Sequence, residues 1–163
     1  MKLGLVIVVP KEDAMPENIW EELVQTYLTT NRAILVSPQY EIADEQGWKI
    51  YPDFLAIDFR ASQIWLVEVT AGWSTSKIEG KANKFKAEIV PRLRSQLIEF
   101  KITTDASNWQ FGLWAFVRKD VAKRLRDKIT SHVDFVKVQD LESMAFPWTY
   151  WDKRRSEESP LDH

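Results

Sequence analysis

One strand-length segment of this chain would be wholly apolar but for Gln63 at its start and a single carboxylate. Residues Gln63–Thr70 read QIWLVEVT, and Glu68 is the only charged residue among them. Such a run of apolar, aromatic and β-branched residues predicts a strand buried in the core. A carboxylate that is buried, ionised and unpaired destabilises a fold by several kcal/mol, so Glu68 needs a partner. The segment therefore predicts a core strand with a polar site on it.

A second strand is predicted just before it, at residues 48–59, and only residues 60–62 separate the two. Such a short link predicts an antiparallel hairpin. In that hairpin Asp53 and Glu68 converge at one edge of the sheet. Two neighbouring carboxylates repel each other unless a cation or a proton lies between them, and Mg²⁺ takes carboxylate ligands together with waters. The pair therefore predicts a site for Mg²⁺ or Mn²⁺.

Plain structural roles for both carboxylates remain open. Asp53 follows Pro52 and also fits a residue that merely begins a strand. Glu68 also fits a structural ion pair with a buried lysine or arginine. The functional interpretation is favoured because both residues fall at the same end of one predicted sheet.

Helical and strand patterns alternate along the rest of the chain. Strands are predicted at residues 3–9, 33–37, 48–59, 63–70, 109–117 and 133–138. Helices are predicted at residues 16–30, 76–100 and 121–130, with a kink or split at Pro91 and with Asp120 as the cap of the last helix. This order predicts a single α/β domain over residues 1–147, in which helices flank one mixed β-sheet, followed by a polar tail over residues 148–163.

Composition excludes several kinds of site. The 163 residues include no cysteine, which rules out disulfides, a thiol nucleophile and cysteine-ligated zinc, and which fits a reducing cytoplasm. Only two histidines occur, His132 and His163, so a multi-histidine metal site is excluded as well. The five glycines form no phosphate-binding loop. The apolar run at residues 3–9 is too short to span a membrane, and we therefore expect a cytoplasmic protein.

Charge is distributed unevenly along the chain. The net charge is −2, but residues 1–70 carry 5 basic and 11 acidic side chains, residues 71–131 carry 13 and 6, and residues 132–163 carry 4 and 7. A basic middle between acidic ends favours a positive face that meets a polyanion. The alternative is that these lysines and arginines only solvate two helices.

Pro52-Asp53, a hairpin, and then Glu68-Val69-Thr70 ahead of a long helix resemble the motif of the PD-(D/E)XK nuclease superfamily, which includes restriction-endonuclease-like and Holliday-junction-resolvase-like proteins. The predicted order over residues 16–117 is a helix, three strands, a helix and a strand, and it is similar to the common core of that family. The resemblance implies a restriction-endonuclease-like fold and hydrolysis of phosphodiester bonds in DNA with Mg²⁺ or Mn²⁺. It also implies homodimers, which many relatives form.

The resemblance assigns roles to individual residues. Asp53 and Glu68 would be metal ligands, and the backbone carbonyl of Val69 would supply a third oxygen. The family often adds a glutamate from the first helix, for which Glu21 is the first candidate and Glu17 the second. A bound metal ion would lower the pKa of a water and stabilise charge on the scissile phosphate.

One position departs from the family motif. Thr70 stands where the family has a lysine that is thought to orient or help deprotonate the attacking water, and Thr70 carries no charge. Lys81 and Lys84 are three residues apart on the following helix and share a face, so one of them could reach back into the site. Some relatives place the lysine on a helix in this way, and others have lost catalysis. The alternative function is therefore an inactive protein of this fold that binds nucleic acid or a protein partner.

Contacts to DNA are expected beside this site. The long helix carries a row of basic residues, Lys77, Lys81, Lys84 and Lys86. Such a row binds phosphates without reading sequence. Trp73, which follows the motif, would stack on an unpaired base or, alternatively, would cover the end of the sheet. A further alternative is a subunit that docks through the tryptophans of residues 148–151.

Overall fold

The structure is a computed structural model that describes residues 19–30, 34–105 and 107–145. Its helices are α1 (Ile19–Thr29), α2 (Ser76–Lys84), α3 (Val90–Glu99), α4 (Lys119–Ile129) and α5 (Leu141–Ala145), with a π-helical turn, Phe85–Ile89, between α2 and α3. Its strands are β1 (Ile34–Pro38), β2 (Ile42–Ala43), β3 (Lys49–Ile50), β4 (Phe54–Asp58), β5 (Gln63–Thr70), β6 (Gln110–Val117) and β7 (Phe135–Asp140). No helix in these ranges is both long and apolar enough to cross a membrane. The strand predicted at residues 3–9 and the tail at residues 148–163 lie outside the described residues.

Five strands form one mixed sheet in the order β1-β4-β5-β6-β7. Strands β1, β4 and β5 are antiparallel neighbours, whereas β6 and β7 both run parallel to β5. Each parallel connection crosses over through helices, α2 and α3 between β5 and β6, and α4 between β6 and β7. The predicted α/β fold with helices flanking a mixed sheet is thus confirmed, and so is the antiparallel hairpin of β4 and β5.

Alternate residues of the strands face two separate hydrophobic clusters, one on each side of the sheet. In β5, Trp65 and Val67 lie in the cluster that α1 covers. Ile64 and Leu66 lie in the other cluster, which α2, α3 and α4 cover. Glu68 follows Ile64 and Leu66 in the alternation and is therefore on the α2 side of the sheet.

The strand predicted at residues 48–59 is wrong as one continuous element. Strand β3 pairs with β2 in a separate two-stranded sheet, whereas β4 belongs to the main sheet. Pro52 lies between β3 and β4 and has no backbone N–H to donate, so a ladder cannot run through it. Asp44 closes the turn between β2 and β3, because its Oδ1 accepts hydrogen bonds from the backbone N–H groups of Gln46 and Trp48. The chain thus changes sheets just before Asp53.

The helix predicted at residues 76–100 is split, as expected from Pro91. Pro91 lies in the first turn of α3 and has no N–H to donate to the carbonyl of Ala87. The helix widens into the π-helical turn upstream of it, where the N–H of Val90 donates to the carbonyl of Phe85. The proline therefore ends the regular α-helical pattern without ending the helical path of the chain.

Two expectations near the end of the described chain need correction. Asp120 does not cap α4, because the helix begins at Lys119 and the Asp120 carboxylate accepts a hydrogen bond from Arg118 Nε at 3.2 Å. The strand predicted at residues 133–138 is displaced by two residues and forms β7. Helix α5 follows β7 directly and was not predicted, since five residues are too short for a helical period to show.

Packing around Gly112 on β6 leads to a testable prediction. A Cβ atom at this position would lie 2.6 Å from Cε3 of Trp65 and 2.8 Å from the backbone carbonyl oxygen of Phe135. The backbone at Phe135 cannot move away without disturbing β7. Gly112→Ala should therefore lower the free energy of unfolding by about 1–3 kcal/mol, measured by urea denaturation. The control is Gly80→Ala on α2, where nothing lies within 4 Å of the added atom. The free energy of unfolding of Gly80→Ala should rise by about 0.5–1 kcal/mol. Equal stability of the two variants would contradict the packing described for β6.

Candidate active site

Asp53 lies where the ladder between β4 and β5 ends. The ladder pairs Phe54 with Val67, and the same register continued outward sets Asp53 opposite Glu68. Asp53 Oδ2 accepts a hydrogen bond from the backbone N–H of Val69 at 2.7 Å. The carboxylate therefore satisfies an amide of β5 beyond the last ladder pair, and this bond holds Asp53 beside Glu68.

Glu68 and Lys81 form a buried ion pair. Their exposed fractions are 2% and 8%, respectively. Lys81 Nζ donates hydrogen bonds to Glu68 Oε1 and, at 2.9 Å, to the backbone carbonyl oxygen of Tyr51. On α2, Ile78 and Ala82 are buried with Lys81, so that this face of the helix packs on the sheet. One ammonium group thus joins α2, β5 and the segment that leads into β4.

Burial changes the acidity of Glu68. It raises the pKa of Glu68 from its ordinary value of 4.5 to about 7, because water no longer solvates the charged carboxylate. Attraction to Lys81 lowers this pKa and repulsion from Asp53 raises it, and both effects are smaller than that of burial. The Glu68 carboxyl group therefore changes its protonation state near neutral pH.

A cavity of about 230 Å³ opens beside the two carboxylates. It is lined by Asp53, Glu68, Val69, Thr70, Ser74, Ser76, Lys77 and Ile78. The Thr70 hydroxyl accepts a hydrogen bond from the N–H of Gly72 at 3.3 Å, and the hydroxyl oxygens of Ser74 and Ser76 lie 3.0 Å apart. Acidic, hydroxyl and basic side chains thus line one small space at the carboxyl end of β5.

Only part of the predicted site is brought together. The predicted residues that line the cavity are Asp53, Glu68, Val69, Thr70 and Lys77. Neither Lys81 nor Lys84 lines the cavity. Lys84 is exposed, whereas Lys81 is buried and forms the ion pair with Glu68. Lys86 is also exposed and forms an ion pair with Asp134 at 2.6 Å.

The predicted glutamate of the first helix does not join this group. Glu21 lies on α1, which packs against the opposite face of the sheet from α2. In residues 19–30, 34–105 and 107–145, no three acidic or histidine side chains are placed to hold a metal ion together. Glu21 is therefore not clustered with Asp53 and Glu68, and Glu17 lies outside the described residues.

Oxygen donors at the cavity suit a hard divalent cation. Asp53 and Glu68 offer carboxylate oxygens, and Val69 offers its carbonyl. The N–H of Val69 points to Asp53, and in an extended strand the C=O of a residue points to the same side as its N–H. Mg²⁺ commonly binds one or two carboxylates and keeps several waters. These donors therefore fit Mg²⁺ or Mn²⁺. The ion would compete with the Lys81 ammonium for the Glu68 carboxylate.

Some groups of this site have little or no signature in the sequence. Tyr51 contributes its backbone carbonyl, a group that every residue possesses. Ser74 and Ser76 line the cavity from the loop before α2, and their signal is a serine-rich turn that directly follows the acidic motif. Residue type therefore predicted Asp53 and Glu68, whereas the groups around them are brought to the site by the path of the backbone.

No protein-family model matches the chain, and no curated protein is significantly similar to it.

Glu68→Gln provides a prediction for stability against pH. The folded pKa of about 7 lies above the ordinary value of 4.5, so between these pH values the native state keeps a proton that the unfolded chain has lost. As the pH rises through this range, the free energy of unfolding of the wild type should fall relative to that of Glu68→Gln, by at most about 3 kcal/mol. Urea denaturation of both proteins across this range measures the difference. A difference that does not change with pH would contradict the raised pKa.

Proposed function

We propose that this protein is a nuclease that hydrolyses phosphodiester bonds in DNA with Mg²⁺ or Mn²⁺. The observation that carries the proposal is the position of Lys81, whose ammonium reaches from α2 to Glu68 beside the end of the hairpin that holds Asp53. A positive charge is thus present at the acidic pair, although Thr70 leaves the PD-(D/E)XK motif without its usual lysine.

The order of elements supports this proposal. In chain order, α1, β1, β4, β5, the continuous helical segment of α2 and α3, and β6 form a helix, three strands, a helix and a strand, which is the order of the PD-(D/E)XK core. The small β2–β3 hairpin is then an insertion between the first and second of the three strands. Asp53 and Glu68 lie at the adjoining ends of the second and third.

Asp53, Glu68 and the carbonyl of Val69 would hold the metal ion. When bound, the ion supplies a more acidic water and stabilises the charge that develops on the scissile phosphate. The hydrogen bond from the Val69 N–H orients the Asp53 carboxylate for this role. Glu68 would release its proton on binding, because its raised pKa keeps it partly protonated at neutral pH.

Lys81 would orient the attacking water or bind the reacting phosphate. The carbonyl of Tyr51 and the carboxylate of Glu68 restrain its ammonium group, so that little of its freedom would be lost on reaction. Lys77 lines the cavity beside Asp53 and Glu68 and would add a second positive charge for the phosphate backbone. In this proposal Lys77 and Lys81 together replace the charge that Thr70 lacks.

A second candidate function is binding without catalysis. The observation that favours it is the ion pair itself, because Glu68 has a buried partner and needs no metal ion to compensate its charge. The protein would then bind nucleic acid or a protein partner through the same domain. Metal binding separates the two candidates.

DNA is the proposed partner, and homodimers are proposed by analogy with PD-(D/E)XK relatives. The excess of basic residues, 13 against 6 acidic ones over residues 71–131, supports a polyanionic partner. The sequence contains no cysteine, which supports action in a reducing cytoplasm.

Cleavage by matched lysine variants tests the proposed nuclease. The wild type should cleave DNA in Mn²⁺ or Mg²⁺ and not in EDTA. Asp53→Asn and Lys81→Met should each lower the rate by about 100-fold or more, because each removes a group at the metal ion or the phosphate. Lys84→Met should leave the rate at saturating DNA unchanged, since Lys81 and not Lys84 is paired with Glu68. Rates are measured on single-stranded, duplex and branched DNA.

Circular dichroism establishes that each variant is folded. Asp53→Asn keeps an oxygen that can accept the hydrogen bond from the Val69 N–H, so this variant should retain the end of the hairpin. If the folded wild type cleaves none of the DNA forms, the nuclease is rejected. Equal losses of rate in Lys81→Met and Lys84→Met would reject the role of Lys81.

Binding of Mn²⁺ should strengthen as the pH rises towards 7. The proton that burial favours on Glu68 competes with the ion. By isothermal titration calorimetry, we expect the affinity to fall by up to about tenfold for each pH unit below 7. Glu68→Gln should lose both most of the affinity and this pH dependence. Failure to bind Mn²⁺ at any pH would favour the protein that binds without catalysis.

A further inference from the structure

Strands β5 and β6 bring Trp73 and Arg118 together at their carboxyl ends. Thr70 and Val117 are paired at these ends, and Trp73 and Arg118 follow them closely along the chain. The guanidinium carbon of Arg118 lies 4.0 Å from the centre of the Trp73 ring. This cation–π contact fixes the ring at the edge of the sheet.

Trp73 is largely open to solvent, with 66% of its surface exposed. Arg118 covers one face of the indole ring, so the exposed surface includes the opposite face. This exposure argues against the alternative in which Trp73 covers the end of the sheet. A flat aromatic face that is held from behind is the kind of surface on which a nucleobase stacks.

Trp73 belongs to the loop that passes along the cavity of the candidate active site, although it does not itself line the cavity. Trp73 lies in the chain between Thr70 and Ser74, and both of these residues line the cavity together with Glu68. Lys77 lines it from the first turn of α2. A nucleotide on Trp73 would therefore lie on the loop that connects the acidic strand end at Thr70 with Lys77.

Basic groups are matched by acidic ones on the β6 side of the ring. Arg118 and Lys119 leave the end of β6 here. The carboxylate of Asp120 accepts a hydrogen bond from Arg118 Nε at 3.2 Å, and that of Glu142 accepts one from the backbone N–H of Lys119 at 2.9 Å. The Lys119 ammonium is attracted to the Asp140 carboxylate, so the positive charge offered to phosphates comes from Lys77 on the lining of the cavity.

Taking DNA as the ligand, and thus resting on the proposed function, we propose that Trp73 and Arg118 form a stacking platform for one unpaired nucleotide. A base in single-stranded DNA has free faces and can stack on the open side of Trp73, while Lys77 attracts its phosphates. Bases inside a duplex already stack on one another. The platform therefore favours single-stranded DNA over an intact duplex, and Trp73 determines the form of substrate.

Binding in EDTA tests the platform separately from catalysis. Fluorescence anisotropy compares a labelled single strand of thymidines with a blunt duplex of equal length, for the wild type, Trp73→Ala, Trp73→Phe and Phe100→Ala. Trp73→Ala should weaken single-strand binding by about 5- to 100-fold and duplex binding by less than about twofold. Trp73→Phe should keep most of the affinity. Phe100→Ala should change nothing, because Phe100 is also exposed, at 55%, but lies beyond the end of α3, away from the cavity.

Abasic strands identify base stacking as the cause. For the wild type, a single strand with abasic positions should bind as weakly as the intact strand binds to Trp73→Ala. Trp73→Ala itself should bind intact and abasic strands alike, since the group that senses the base is gone.

Several outcomes would overturn the platform. These are failure of the wild type to bind the single strand, equal weakening of single-strand and duplex binding in Trp73→Ala, and equal binding of intact and abasic strands by the wild type. Cleavage of DNA without a Trp73 effect on binding would reject the platform and keep the nuclease. The Trp73 effect without cleavage by a folded wild type would keep the platform and reject the nuclease.

Discussion

The ion pair between Glu68 and Lys81 is the interaction on which the arrangement of this domain depends. Strand β5 lies in the middle of the sheet, where a charged carboxylate loses its solvation. Lys81 compensates part of that loss and also donates to the carbonyl of Tyr51. Helix, central strand and the entrance to β4 are therefore held by one ammonium group. Asp53 and the cavity lie where these three segments meet. The same ion pair therefore joins the segments and shapes the candidate active site.

Much of this arrangement was predictable from residue type and periodicity. The apolar run of β5 indicates a central strand, and the lone Glu68 within it indicates a polar site. The choice between Lys81 and Lys84 was also within reach. Lys81 belongs to the buried series of Ile78, Ala82 and Phe85, at helical spacing, whereas Lys84 falls outside it. A shared face with Lys84 is a weaker criterion than membership of the apolar stripe, because packing of that stripe sets the rotation of the helix.

Other features depend on the path of the backbone and on which face of the sheet a helix covers. The break at Pro52 divides an apolar stretch between two sheets, and the local pattern of alternation does not report which sheet a residue joins. The carbonyl of Tyr51 has no distinguishing chemistry. Glu21 was expected to be a metal ligand by analogy with the family, but its helix packs on the opposite face of the sheet from α2. Each of these depends on long-range geometry that residue type alone does not encode.

The π-helical turn between α2 and α3 has a consequence for how this chain can change in length. Each residue of an α-helix rotates the next by about 100°, so an insertion or deletion between Lys81 and the sheet-facing residues of α3 would turn one part of the helix away from the sheet. A π-helical turn holds an extra residue without this rotation, because its hydrogen bonds span five residues, as that from Val90 to Phe85 does. The segment Phe85–Ile89 is thus the point at which one residue could be removed, which would convert the π-helical turn to an α-helical one, while Lys81 stays on Glu68.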